Sequence, residues 1–125
     1  MMKDRPDPRV DAWLRHTENE DMFLSVITIE ELREGVELLP RGPKRRELDE
    51  WISYDVMLQF GQRILPVGLT IAETCATLSA RARKSGHTPG AMDALIAATA
   101  VANGMKIATL NRKDFARLGV EVVEF

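Results

Sequence analysis

A helix that is apolar on nearly every side constrains this chain more than any other feature. Residues 94–102 read ALIAATAVA and carry no polar stripe. A helix of this kind has to be covered on several sides, so we expect it at the centre of the fold. Asn103 and Gly104 should end it. The spacing then predicts a short strand over residues 106–110 and a further helix that opens at Asn111.

Strands and helices alternate along the rest of the chain. Short apolar runs predict buried strands over residues 22–27, 63–67 and 120–125. Periodic segments predict helices over residues 8–14, 28–39, 44–60 and 70–83, the last capped by Thr70. This alternation predicts a single domain, residues 1–125, with a three-layer α/β/α architecture and a mostly parallel sheet.

Composition narrows the class of protein further. A net charge of −2 over 125 residues excludes a polybasic tail. The sequence shows neither an apolar run long enough to span a membrane nor the apolar core of a signal peptide. The single cysteine, Cys75, lies among apolar residues and is expected in the core, which fits a cytoplasmic protein. His16 and His87 are isolated and are expected at the surface.

Three acidic residues stand where predicted helices begin. Glu31 follows Thr28 by three residues and Asp114 follows Asn111 by three, so both have the spacing of helix caps, which is the commoner meaning of that pattern. Asp93 is less ordinary, because it follows a Pro-Gly loop and precedes the apolar helix. An acid in a first turn is also favoured by the helix dipole.

Their shared placement suggests chemistry beyond capping. Helix starts that follow strands or loops can meet at one edge of a parallel sheet, which is where ligands usually bind. Three carboxylates that converged there would repel one another unless a divalent cation held them. Oxygen-only ligands favour Mg²⁺ or Mn²⁺ over zinc. Such a cation activates water and shields phosphate, as in nucleases and phosphatases.

Four passages carry a family resemblance: residues 8–14 (PRVDAWL), 24–35 (LSVITIEELREG), 93–100 (DALIAATA) and 108–115 (ATLNRKDF). In these passages the chain resembles the PIN-domain ribonucleases, among them the VapC-type toxins of bacterial toxin–antitoxin pairs and especially the FitB-like branch. The passages span nearly the whole chain in the family's order, and the last two are the most specific.

The resemblance implies a metal-dependent endoribonuclease. Glu31, Asp93 and Asp114 match the second, third and fourth acidic positions of the family, which bind Mg²⁺ or Mn²⁺ and activate the water that hydrolyses RNA. Thr109 and Asn111 match the polar pair that lines the site and orients the acids.

The resemblance also implies partners. These are an RNA substrate, a cognate antitoxin that inserts a segment into the cleft and carries a DNA-binding domain, and a second copy of the chain in a homodimer. Arg112 and Lys113 stand beside the proposed site and are the better candidates for RNA phosphate contacts. For the basic cluster at residues 41–46, RNA phosphate contacts and an ordinary solvated surface are equal alternatives.

One element of the family pattern has no match. In the family a central N-terminal strand ending in Asp-Thr-Asn supplies the first metal-binding aspartate, and neither Asp4, Asp7 nor Asp11 stands in a strand that could replace it. A late start codon, a truncation or a strand from another polypeptide would each account for this. Two functions therefore remain open: a nuclease toxin, or a catalytically impaired PIN-like protein that binds an antitoxin or RNA.

Overall fold

The structure is a computed structural model that describes residues 8–125, with the side chains of Val10 and Asp11 outside that description. Asp4 and Asp7, weighed as replacements for a first aspartate, also lie outside the described residues. The described chain divides into two compact units, the first ending at Leu65 but including Phe125, and the second spanning 66–124. The single domain over residues 1–125 stays a prediction.

The first unit contains four α-helices and one pair of short strands among its described residues. In order, these are α1 (Pro8–His16), a 3₁₀ turn (Asn19–Asp21), β1 (Leu24–Ser25), α2 (Val26–Glu37), α3 (Pro43–Glu50), a π-helical segment (Trp51–Val56), α4 (Met57–Phe60), a second 3₁₀ turn (Gly61–Arg63) and β2 (Ile64–Leu65). β1 and β2 pair in parallel. The predicted long helix over residues 44–60 is confirmed, with a π-helical segment that its periodicity did not indicate.

Polar contacts fix the helices and the strand pair of this unit. The Arg33 guanidinium on α2 binds Asp49 at 2.5 Å and donates to the Ser53 hydroxyl at 2.8 Å, and so joins α2 to α3 and the π-helical segment. Arg63, just before β2, donates to the backbone carbonyl oxygens of Asn19 and Met22, just before β1. These bonds hold together the two segments that lead into the strands.

The first strand is shorter than predicted because a serine caps the next helix. The Ser25 hydroxyl accepts a hydrogen bond from the Ile27 amide at 3.0 Å, which is an N-cap contact. The helix therefore begins two residues before Thr28, and the strand predicted over residues 22–27 is confirmed at Leu24–Ser25 and wrong at its other positions. The predicted capping box of Thr28 and Glu31 is wrong for the same reason, since Thr28 is already the third helical residue.

The second unit has three helices among its described residues: α5 (Leu69–Lys84), α6 (Ala91–Ala102) and α7 (Arg112–Arg117). The predicted cap at Thr70 is wrong, because α5 begins at Leu69 after Gly68. A parallel bridge joins Ile107 to Val122.

Strands were predicted over residues 106–110 and 120–125, and in the described part of the chain the structure has this single bridge between those two segments. A local turn shortens the first of them, because the Asn111 amide donates to the Thr109 hydroxyl at 3.0 Å and leads the chain into α7. Every strand pairing in the described residues is parallel. The structure thus confirms an α/β fold with a small parallel sheet.

The apolar helix is buried as predicted. Ala97 and Ala98 on α6 are 0% exposed. Small side chains let α5 pack closely on this helix. The same core includes residues from α5, from α7 and from the segments beside the bridge: Ile71, Leu78, Ala82, Ile107, Phe115, Leu118 and Val120. The predicted stop is also confirmed, since Gly104 has φ 66° and the Met105 amide donates to the Ala100 carbonyl at 2.8 Å. Cys75 packs against this core as a half-buried free thiol.

Within the described part of the chain, no helix is both long enough and apolar enough to cross a membrane.

Candidate active site

A cavity of about 260 Å³ lies in the second unit, between the end of α5, the start of α6 and the helix α7. Asp93 of α6 and Asp114 of α7 both line it. The structure therefore brings together two of the three acids that the sequence singled out. They lie 21 positions apart in the chain, and only the fold makes them neighbours.

Asp93 reaches the cavity from the first turn of α6. It is the third residue of that helix, whose N-cap is Gly90, and its side chain is half-buried. The helix dipole favours negative charge at this position, as predicted. Among the residues that the structure describes, Asp93 has no hydrogen-bond or ion-pair partner for its carboxylate, so the carboxylate keeps its acceptor oxygens for a ligand.

Asp114 occupies the corresponding position of α7. It is the third helical residue after the N-cap Asn111. The predicted cap contact is wrong, because the backbone N–H of Asn111 donates its hydrogen bond to the Thr109 hydroxyl instead. Asp114 is exposed, and no carboxylate partner is found for it in the described range. Its presence beside the cavity is thus not explained by capping.

Two basic residues that line the cavity were not singled out from the sequence. His87 lines the cavity and is half-buried there, a position that its isolation in the sequence did not indicate. Its position follows from the end of α5: Gly86 has φ 89° and donates to the Arg83 carbonyl at 3.0 Å, and the His87 amide donates to the Ala82 carbonyl at 2.9 Å. This is a Schellman ending, which turns the chain back across the helix terminus.

Arg117 is the second of these basic residues. It follows Asp114 by three residues on α7, and side chains with that spacing share one helix face. The spacing was visible in the sequence once α7 was predicted.

The other predicted site residues are not among those that line the cavity. Glu31 is an exposed residue of α2 in the first unit, and its place in the site stays a prediction. Thr109 and Asn111 precede α7 and are not among the described residues that line the cavity. Arg112 lies 3.9 Å from the Glu124 carboxylate, and Lys113 is exposed.

The donor atoms at the cavity suit a hard divalent cation. Mg²⁺ is usually bound through one or two carboxylates, keeps several of its waters and prefers oxygen to nitrogen or sulfur. Asp93 and Asp114 supply such carboxylates. Within residues 8–125 no group of three or more His, Cys, Asp or Glu is placed to hold a metal ion. Two carboxylates, with water as the remaining ligands, are a donor set that Mg²⁺ and Mn²⁺ accept.

The chain is similar to several known proteins. The chain is 35% identical over 123 residues to VapC ribonuclease Y4jK of Sinorhizobium fredii. The alignment covers 98% of this chain and 88% of that protein. It is also 36% identical over 121 residues to Toxin FitB of Neisseria gonorrhoeae. This alignment covers 97% of this chain and 87% of the toxin. The solved structure of FitAB bound to the IR36 DNA fragment superposes with a TM-score of 0.90 at 36% identity, covering 97% of this chain and 85% of that one.

The family model for the PIN domain matches residues 1–121. The resemblance drawn from the four sequence passages is thereby confirmed over nearly the full length. The chain belongs to the PIN domain family.

Proposed function

We propose that this protein is a divalent-metal-dependent endoribonuclease that acts as the toxin of a toxin–antitoxin pair. One observation carries the proposal: Asp93 and Asp114, from two different helices, line one cavity, and neither carboxylate has an ion-pair partner among the described residues. Membership of the PIN family and similarity to proteins named VapC ribonuclease support the same reaction.

Asp93 and Asp114 would hold the cation. Bound there, Mg²⁺ or Mn²⁺ would lower the pKa of a water molecule and shield the charge of an RNA phosphodiester. The two carboxylates are carried by helices whose apolar faces are anchored in one core, and Phe115, next to Asp114, is 5% exposed. Rigid support of this kind keeps both carboxylates in place while a substrate binds.

Glu31 is proposed as a third acidic ligand, and Thr109 and Asn111 as polar groups that orient the acids. The resemblance to the PIN family supports these roles. Glu31 lies in the interior of α2, whose N-cap is Ser25.

Cleavage of a panel of structured RNAs tests the proposal. We expect cleavage with Mn²⁺, loss of cleavage with EDTA, and recovery when Mn²⁺ is restored. Glu31→Gln should lower kcat/KM by about 10-fold or more, the scale on which even outer partners of metal ligands act. The matched control is Glu30→Gln, an exposed residue beside it on α2, which should change kcat/KM less than about 2-fold.

Two results would contradict the proposal. Cleavage that persists in EDTA would exclude the metal-dependent mechanism. An intact protein that cleaves no RNA in the panel at any Mn²⁺ concentration would favour the alternative, a PIN-like protein that acts only by binding an antitoxin or RNA.

An antitoxin is the proposed protein partner. The related FitB was solved as FitAB bound to a DNA fragment and as FitAcB, at 36% identity and TM-scores of 0.90 to this chain. By analogy, the proposed antitoxin carries a DNA-binding domain and covers the cavity of this toxin. A homodimer and a cytoplasmic location complete the proposal.

A further inference from the structure

We propose that Arg117 and His87 bind the phosphate group of the RNA substrate in the cavity that Asp93 and Asp114 also line. This inference rests on the proposed nuclease function and adds substrate-binding residues to it. The four side chains line the same cavity, two acidic and two basic. A phosphate bound to a carboxylate-held divalent cation has further oxygens that accept hydrogen bonds from cationic donors nearby.

Arg117 carries most of the argument. Its guanidinium has no ion-pair partner in the part of the chain that the structure describes, whereas Arg33, Arg45 and Arg112 each lie within 4.0 Å of a carboxylate. A guanidinium has five donors in a planar fork that matches two phosphate oxygens. Arg117 is therefore a cation beside the cavity with its donors available.

His87 is placed by backbone bonds that do not involve its ring. The amide of His87 is bound to the Ala82 carbonyl at 2.9 Å, and Gly86 supplies the positive φ of 89° that the turn requires. The backbone at His87 is thus fixed beside the cavity, and its half-buried imidazole makes no hydrogen bond or ion pair with other described residues. An imidazole N–H donates to a phosphate oxygen in either tautomer, so one donor is always present.

The size of the cavity agrees with this occupant. Sites for drug-sized ligands span roughly 300–1,000 Å³, and the cavity of about 260 Å³ is smaller. It suits a phosphodiester group beside a hydrated cation, with the bases outside. Recognition through phosphate would leave the choice of RNA sequence to other surfaces.

Steady-state cleavage of one RNA at several salt concentrations tests the inference. We expect Arg117→Gln to raise KM by roughly 10-fold or more, because a hydrogen bond between charged groups is lost, with a smaller change in kcat. Each phosphate contact on a single strand contributes about 0.7 to the slope of log affinity against log salt, so this slope should fall by about 0.7. Arg117→Lys should recover part of the loss, and His87→Gln should raise KM in the same direction.

Lys106→Gln is the charge-matched control, because Lys106 is an exposed cation of the same unit that lies 3.8 Å from Glu121 and does not line the cavity. The inference is overturned if Arg117→Gln leaves KM and the salt slope at wild-type values, or if Lys106→Gln changes them equally. It is also overturned if Arg117→Gln lowers the affinity for Mn²⁺ with KM unchanged, since the arginine would then position the two aspartates and not bind the RNA phosphate. In each of these cases wild-type cleavage would persist, which separates this failure from failure of the proposed function.

Discussion

Asp93→Asn should reduce metal-dependent RNA cleavage by about 100-fold or more and leave the fold intact. Loss of a partner that only supports a metal ligand costs roughly 10–100-fold, and loss of a ligand charge should cost at least the upper end of that range. Asparagine keeps the size of the side chain. It also keeps a carbonyl oxygen at the helix start, so the substitution removes charge without removing volume.

Comparison of kcat/KM for wild type and variant at saturating Mn²⁺ measures this effect, with circular dichroism to confirm the helices. Asp55→Asn is the matched control, because Asp55 is an exposed aspartate in the π-helical segment and does not line the cavity. It should retain activity within about 2-fold of wild type. If Asp93→Asn folds and cleaves RNA as well as this control, Asp93 is not a metal ligand.

Phe115→Ala should destabilise the protein by about 3–5 kcal/mol, the range for truncating a buried aromatic side chain. Phe115 is 5% exposed and belongs to the core that joins α5, α6 and α7. Since α7 has six residues, it is too short to be stable by itself and depends on this contact. The same side chain therefore supports the fold and the position of Asp114.

Urea denaturation followed by circular dichroism measures the free energy of unfolding. Leu110→Ala is the control: Leu110 lies shortly before α7 but is 60% exposed, and its truncation should change stability by less than about 0.5 kcal/mol. A Phe115→Ala protein with wild-type stability would show that α7 is held by contacts other than its aromatic anchor.

Helices and turns could be predicted where their own residues determine whether they are buried or where they end. The helix at residues 94–102 was expected at the centre because no face of it is polar, and Ala97 and Ala98 are fully buried. Its end at Gly104 followed from turn chemistry that acts within a few residues. Such local signals do not depend on distant contacts.

Strand lengths could not be predicted in the same way. The apolar run over residues 22–27 suits a buried strand, but one serine hydroxyl inside it starts a helix. Likewise, the Thr109 hydroxyl turns the chain toward α7 within the predicted strand over 106–110. Apolar composition does not distinguish a buried strand from the first turn of a helix, so these boundaries depended on a single hydrogen bond each.

The two aspartates of the cavity were singled out from the sequence, whereas His87 could not be. Asp93 stood out because it opens an apolar helix, and Asp114 because of its spacing from Asn111. His87 had no neighbouring motif, and only the Schellman ending at Gly86 brings it to the cavity. Its role depends on three-dimensional proximity, for which the sequence gives no periodic signal.

Titration of Mn²⁺ into the wild type, Asp93→Asn, Asp114→Asn and the double variant, followed by electron paramagnetic resonance, tests the central claim most directly. If the two aspartates share one cation, each single substitution should weaken binding strongly and the double substitution should add less than the sum of the two. Unchanged affinity in either single variant, or losses that simply add as for two independent sites, would contradict a shared metal site.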